Sequence, residues 1–343
     1  MAALVVGMAG VGCAQEAENA DVVTGIPEGY AASPDFLAKT IDDSSSESFR
    51  YDMTLHMALQ VGRDDLDLDV PFASGIRDGD QSQLHMDLGA MYQEMIDEVG
   101  HGQDLPAGFD GDMTMDVLVD AENMYIRAPF FATLADQLPV GLDVPAGDMM
   151  DAFADLGDGW GRVDLAALGD AAPDDIESQL SSGQGFDPMA LFNLVAGASE
   201  VEDLGQDQID GVPVTGMAAT VTMADLMEAQ GSDSSVQLGE ASGPLGDVVD
   251  AMRDADVPIE VWIDGQGLVR RIDFSMADVL TDAMAQLGDV AGGDPPSNLG
   301  GLDGFKVGYT LDFSDYGQVP PIDFPAESDT VDLTSTFAEV LGG

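Results

Sequence analysis

Residues 258–276 read PIEVWIDGQGLVRRIDFSM, and the register of this stretch decides what kind of sheet the chain builds. Asp264-Gly265-Gln266-Gly267 is turn chemistry set between two alternating runs. With those four residues as the loop, Ile263 stands opposite Leu268. Ile259, Val261, Ile263, Leu268, Ile272, Phe274 and Met276 then share one apolar face. On the other face Glu260 meets Arg271 and Trp262 meets Val269. A two-residue Asp-Gly turn would set Glu260 against Val269, so the opposite-charge pair favours the longer loop. Arg270 is the misfit, a cation on the apolar face.

The same design occurs twice more. Phe49, Tyr51, Met53, Leu55, Met57, Leu59 and Val61 alternate with polar residues, and Gly62-Arg63-Asp64-Asp65 turns the chain toward Leu66, Leu68, Val70 and Phe72. This predicts Val61 opposite Leu66. In the other copy, Met113, Met115, Val117 and Val119 lead through Asp120-Ala121-Glu122-Asn123 to Met124, Ile126 and Ala128. Pairing Val119 with Met124 there sets Asp116 opposite Arg127. Hairpins with one apolar face each imply an antiparallel sheet that buries one side.

Helices fall between the strands. Ser33-Pro34 is a cap followed by proline at the first helical position, and Phe36, Leu37, Thr40 and Ile41 give that helix an apolar side before a solvated break at 42–48. Helices are also expected over 91–99, from Pro129 with Phe130, Leu134 and Leu138, from Pro188 with Met189, Phe192, Leu194 and Val195, over 245–255, and after Met276. Further strands are expected at 84–88, 160–165, 212–223 and 305–313. No shift in composition divides the body, so the reading is one α+β domain over 33–325. It follows an apolar segment and polar tether at 1–32 and precedes a tail at 326–343.

Of 343 residues, 65 are Asp or Glu and 10 are Lys or Arg, a formal charge of -55, while 45% are hydrophobic. The apolar share supports a core. Such a polyanion is repelled by nucleic acid and by anionic lipid surfaces, and it suits a solvated surface in salty surroundings. The acidic run Asp64–Asp69 lacks the glycine and distal glutamate of a calcium loop and reads as an alternating strand.

The chain has one cysteine, Cys13, so no internal disulfide forms. It ends the short apolar run MAALVVGMAGVGC. Phosphate-binding glycine loops, nucleophile elbows and paired-histidine zinc helices are missing, and no catalytic residue, cofactor or metal site is expected. His56 and His85 fall on polar strand faces, where a two-histidine site across strands is conceivable but exposed histidines are the simpler reading. What remains is an apolar face rich in methionine: Met53, Met57, Met86, Met113, Met115, Met124 and Met276. Methionine suits both core filling and surfaces that adapt to irregular ligands, and strand parity does not separate the two.

In order along the chain, several segments resemble one family. They are Gly12-Cys13 after its apolar run, the strand Asp158-Gly159-Trp160-Gly161-Arg162-Val163-Asp164, the element Asp210-Gly211-Val212-Pro213-Val214-Thr215, the hairpin at 259–276 and the closing strand that ends Phe313-Ser314-Asp315-Tyr316-Gly317. Together these are similar to the LppX/LprG-type envelope lipoproteins, relatives of the LolA carriers. The resemblance implies a curved antiparallel half-barrel wrapped around helices, with an apolar cavity for acyl chains. It implies a lipid or acylated partner rather than nucleic acid, and an exported monomer anchored by lipid on Cys13 to the outer face of the cell membrane. A basic leader is then expected upstream of the apolar run. Met53, Leu55, Met57, Met113, Met115, Phe130, Leu134, Ile272 and Phe274 are the candidate cavity lining. Arg270 is either the cavity mouth, meeting a lipid head group, or an edge-strand salt-bridge partner of one of the many carboxylates. The alternative is a filled core in a surface lipoprotein that acts through its acidic loops as an interaction or sensor module.

Overall fold

The structure, a computed structural model, describes residues 32–61, 64–90, 93, 113–131, 147–169, 188–229, 253, 255–276 and 306–342. The expected helices at 91–99, 245–255 and after Met276 lie largely or wholly outside these residues. So do Leu134, Leu138 and everything before residue 32, Cys13 included.

Strands β1 (Phe49–Val61), β2 (Asp64–Asp78), β3 (Gln81–Asp87), β4 (Thr114–Val119), β5 (Asn123–Arg127), β6 (Trp160–Asp164), β7 (Val201–Ile209), β8 (Val212–Thr222), β9 (Asp256–Asp264), β10 (Val269–Ser275), β11 (Lys306–Ser314) and β12 (Thr330–Asp332) form one sheet. Its order is β12-β6-β5-β4-β3-β2-β1-β11-β10-β9-β8-β7, and its two end strands are not joined. Every neighbouring pair is antiparallel except β12 with β6. Helices α1 (Pro34–Ser46), α2 (Gly147–Leu156), α3 (Leu165–Gly169), α4 (Pro188–Ala196), α5 (Met223–Ala229) and α6 (Thr334–Gly342) accompany it. The fold is α+β, an open and mostly antiparallel sheet with helices packed on its apolar face.

The deciding hairpin keeps Ile259, Val261, Ile263, Ile272 and Phe274 on its buried face but not its expected register. Val269, expected on the polar face, is buried among them, and Leu268, expected on the apolar face, sits half-buried in the turn. Asp264 N–H donates to the carbonyl of Leu268, and Gly267 N–H to that of Asp264. Gly267 sits at φ +81°, which leaves a three-residue loop of type I turn plus left-handed glycine. Ile263 therefore faces Val269 rather than Leu268. A bulge at Arg270 then shifts the pairing again, so Arg271 faces Trp262 and Asp273 faces Glu260. The expected Glu260–Arg271 pair does not form. The local turn won: the Asp264 carboxylate accepts from the N–H groups of Gln266 and Leu268 at 2.8 and 3.1 Å, and one surface ion pair is worth less than that. The bulge also resolves the misfit. As the extra residue, Arg270 leaves the apolar face, donates to Asp264 at 2.6 Å and lies 5.4 Å from the centre of the Tyr316 ring.

The other hairpins split. Val119 faces Met124 and Asp116 faces Arg127 as expected. Val61 faces Asp64 rather than Leu66, a shift of two that leaves the apolar parity intact, and a bulge at Phe72 follows. Helix α1 starts at its Ser33 cap as expected but runs through the expected break to Ser46. Ser44 explains the extension: its hydroxyl donates to the Thr40 carbonyl and accepts the N–H of Val269, fastening the helix end to the hairpin.

The sheet also buries more than one side. Besides the main core, Ile76, Leu118 and Tyr125 form a small cluster on the outer face under Ile322, with Val319 and Phe324 against it. The residues after 326 are no loose tail. Thr330–Asp332 pairs with β6, and Leu333 and Phe337 are buried in the main core.

Candidate functional site

Inner-face residues line up in rows across the strands because antiparallel register places them side by side. One row runs Met217, Val261, Ile272, Leu311, Met53, Ala73, Met86 and Met115, from β8 to β4. It is apolar throughout. Its burial is graded: Met217, Val261, Ile272 and Leu311 are 0% exposed, Met53 1% and Ala73 8%, while Met86 and Met115 are half-buried. The next row, Ile259, Phe274, Tyr309, Leu55 and Val70, holds Tyr309 half-buried against Phe274 at 5.2 Å, with the Phe72 ring 6.1 Å from Tyr309. Burial pushes the Tyr309 hydroxyl above its ordinary range.

The structure brings together most of the expected lining. Met53 and Ile272 flank Leu311, Leu55 and Phe274 flank Tyr309, and Met57 follows on β1 beside Val307. Met113 and Met115 lie at and beside the start of β4. Phe130 is set apart: it stacks on Phe131 at 4.3 Å, which stacks on Phe153 of α2, next to Phe337 of α6. Met86, Phe72 and Tyr309 belong beside the expected lining residues. Phe72 and Met86 already stood on the apolar face by parity, whereas Tyr309 was hidden by the distance in sequence between β11 and β1.

A cleft of about 760 Å³ lies elsewhere, among α4, α5 and the ends of β7, β8 and β9. Leu194, Ala198 and Val221 meet Asn193, Ser199, Glu200, Thr220, Thr222, Asp225 and Asp256 there. None of the expected lining residues borders it, and neither does Arg270.

The outer face carries a polar row in the same register. Gly205, Gly216, Trp262, Arg271, Asp312, Asp52, Ser74, His85, Asp116 and Arg127 follow one another from β7 to β5. Arg127 then lies 5.2 Å from the centre of the Trp160 ring. Arg271 grips Asp312 with bonds of 2.6 and 3.0 Å, which raises the pKa of the guanidinium. Buried Asp116 takes Arg127 on one oxygen and His85 Nδ1, 2.7 Å away, on the other. His56 reaches Asp69 at 2.5 Å and the Thr310 hydroxyl at 2.8 Å, and that hydroxyl donates to Asp273. Asp–His–Thr is the order of a hydrolase triad, but the threonine proton is committed to Asp273 and the residue is buried. His56 on β1 and His85 on β3 serve separate carboxylates, Asp69 of β2 and Asp116 of β4, so they do not converge. Among the described residues no three His, Cys, Asp or Glu group to hold a metal ion, and no helix is long and apolar enough to cross a membrane.

No family model matches the chain. A curated relative is an uncharacterised 31.2 kDa protein of Streptomyces griseus, from the interval between rplA and rplJ, 27% identical over 199 residues. The match covers 57% of this chain and 53% of the relative, so the chain spans about half the length of the curated relative it matches. Solved structures similar to it include LprF from Mycobacterium bovis, 13% identical with a TM-score of 0.34, over 87% of this chain and 100% of that one. The lipoprotein LppX from Mycobacterium tuberculosis is 12% identical with a TM-score of 0.33, over 84% and 99%. A LolA superfamily protein from Nitrosomonas europaea is 10% identical at 0.21, over 88% and 99%. Likeness at this level carries no weight for function, which rests on the site.

Proposed function

We propose that the protein is an exported cell-envelope lipoprotein, anchored through Cys13, that binds acyl chains against its inner sheet face and carries or presents a lipid. The graded burial of the methionine row is the observation that supports this most. Toward β8 the row is sealed as an ordinary core, but toward β4 the same apolar face is half-buried at Met86 and Met115, and so are Phe72, Tyr309 and Met57 on other rows of that face. Half-buried methionines and aromatics on an inward face are adaptable apolar surface, suited to a flexible chain. Met53, Leu55 and Phe274 lie beneath that surface in this reading, while Ile272 belongs to the sealed part of the row. Burial alone supplies the affinity: about 0.8 kcal/mol per methylene gives roughly 8 kcal/mol for a ten-carbon stretch before ordering costs.

Native mass spectrometry of protein from its own host, before and after delipidation, tests the reading together with titration of a fluorescent acyl-chain probe. The expected result is a lost mass of lipid size and a probe bound in its place. Met86→Asp and Met115→Asp are expected to weaken the probe at least tenfold. Identical spectra with no probe bound would refute it.

A further inference from the structure

The strand β7 and the cleft at its start share one unusual chemistry. β7 closes the sheet at one end, and among the described residues nothing pairs with its outer side. All but three of its residues are exposed, Leu204 at 41%. Glu200, Glu202, Asp203, Asp207 and Asp210 crowd this segment, and no Lys, Arg or His occurs anywhere from 188 to 229. A bulge, with Gly205 at φ +89°, leaves Leu204 without a register partner on β8 and exposed. Just before the strand, the cleft of about 760 Å³ adds Asp225 and Asp256 to Glu200, with no basic residue in its wall. The Thr222 hydroxyl and backbone N–H bind Asp225 and hold its carboxyl below the usual range, so it stays an anion.

We propose that this edge and cleft dock an extended cationic segment of a partner protein. The segment adds to β7 through main-chain hydrogen bonds, rests an apolar side chain on Leu204 and sets a Lys or Arg in the cleft near Glu200 and Asp256. Charge selects this occupant. A second copy would bring its own five carboxylates against these, and like charges facing each other across strands oppose pairing. An acyl chain would strand the polar wall of the cleft without partners. The chain's own cations are few, and Lys39, Arg50, Arg127, Arg162, Arg270 and Arg271 already hold carboxylates.

Fluorescence anisotropy with a labelled alternating Lys-Val octapeptide tests the proposal. Three comparisons matter: the same peptide N-methylated at alternate backbone nitrogens, a Glu-Val copy, and the Glu200→Gln/Glu202→Gln variant. The unmethylated basic peptide is expected to bind at least tenfold tighter than its methylated copy and to lose at least tenfold on the variant. The Glu-Val copy is expected to show no binding, and hydrogen exchange is expected to slow at 201–209. Equal binding of both basic peptides would reduce the effect to diffuse polyanion attraction and overturn the proposal. Protection elsewhere would do the same, as would protection of 201–209 that grows with protein concentration alone, the mark of a second copy. The peptide assay makes no use of the acyl-binding reading, so either can fail without the other.

Discussion

Replacing Asp264 by Ala tests the hairpin on which the sheet turns. The side chain is 3% exposed and has three partners: the N–H groups of Gln266 and Leu268 and the Nε of Arg270 at 2.6 Å. Each turn bond contributes about 1 kcal/mol, and the bond to the guanidinium about 1.5–3 kcal/mol. The loss leaves Arg270, whose side chain is 20% exposed, over Tyr316 without its carboxylate, so the cost falls at about 3–5 kcal/mol. Asp264→Asn keeps an acceptor for the turn and loses the charge, so about half that cost is expected. Urea unfolding at fixed ionic strength reads both values. The double variant Asp264→Ala/Arg270→Ala completes a cycle and should recover part of the loss, because no orphan cation remains. A cost below about 1 kcal/mol for Asp264→Ala, or full additivity in the cycle, would refute the view that the carboxylate sets the register.

Other outcomes follow from the same contacts. Burial raises the pKa of Asp273, so the folded state favours its protonated form, and that contribution is lost as pH rises through the folded pKa. Asp273→Asn should therefore stabilise the protein near neutrality, with the advantage fading as pH falls below about 4, as read by thermal melts across pH. A Cβ on Gly216 would meet the Trp262 ring at 2.6 Å. Gly216→Ala should displace the indole and cost about 1–3 kcal/mol, visible in tryptophan emission in a Trp160→Phe background. With a formal charge of -55, raising potassium chloride from millimolar to molar should raise the melting temperature, the opposite of what a protein held by surface ion pairs would show. An unchanged or falling melting temperature would place the carboxylate repulsion outside the stability balance.

Alternation made much of the sheet legible. Strands with one polar face, such as β1, β9 and β11, declared themselves because burial of a single face imposes a period of two. The strand β7 did not, since an edge exposed on both faces needs no apolar parity; the Asp210-Gly211 turn that joins it to β8, with φ of 50° and 80°, emerged as a hairpin only in the structure. The outer cluster under Ile322 was equally silent, because residues remote in sequence assemble it.

By itself the sequence determined which residues face inward on strands clear of a bulge, about where hairpins turn, that Ser33 caps α1 and that Asp116 meets Arg127. These follow from local geometry and short-range pairing. Tertiary structure alone decided the bulges at Phe72, Leu204 and Arg270, the partner of Arg271 and the gradient of burial along the methionine row. Register beyond a bulge depends on the sum of contacts with both neighbouring strands and the helices above, and exposure depends on what covers a face. Arg270 illustrates the division. Its position after the Asp-Gly turn was plain in the sequence, but its place beside Asp264 and Tyr316 exists only once helix α1, the hairpin and the closing strand have met.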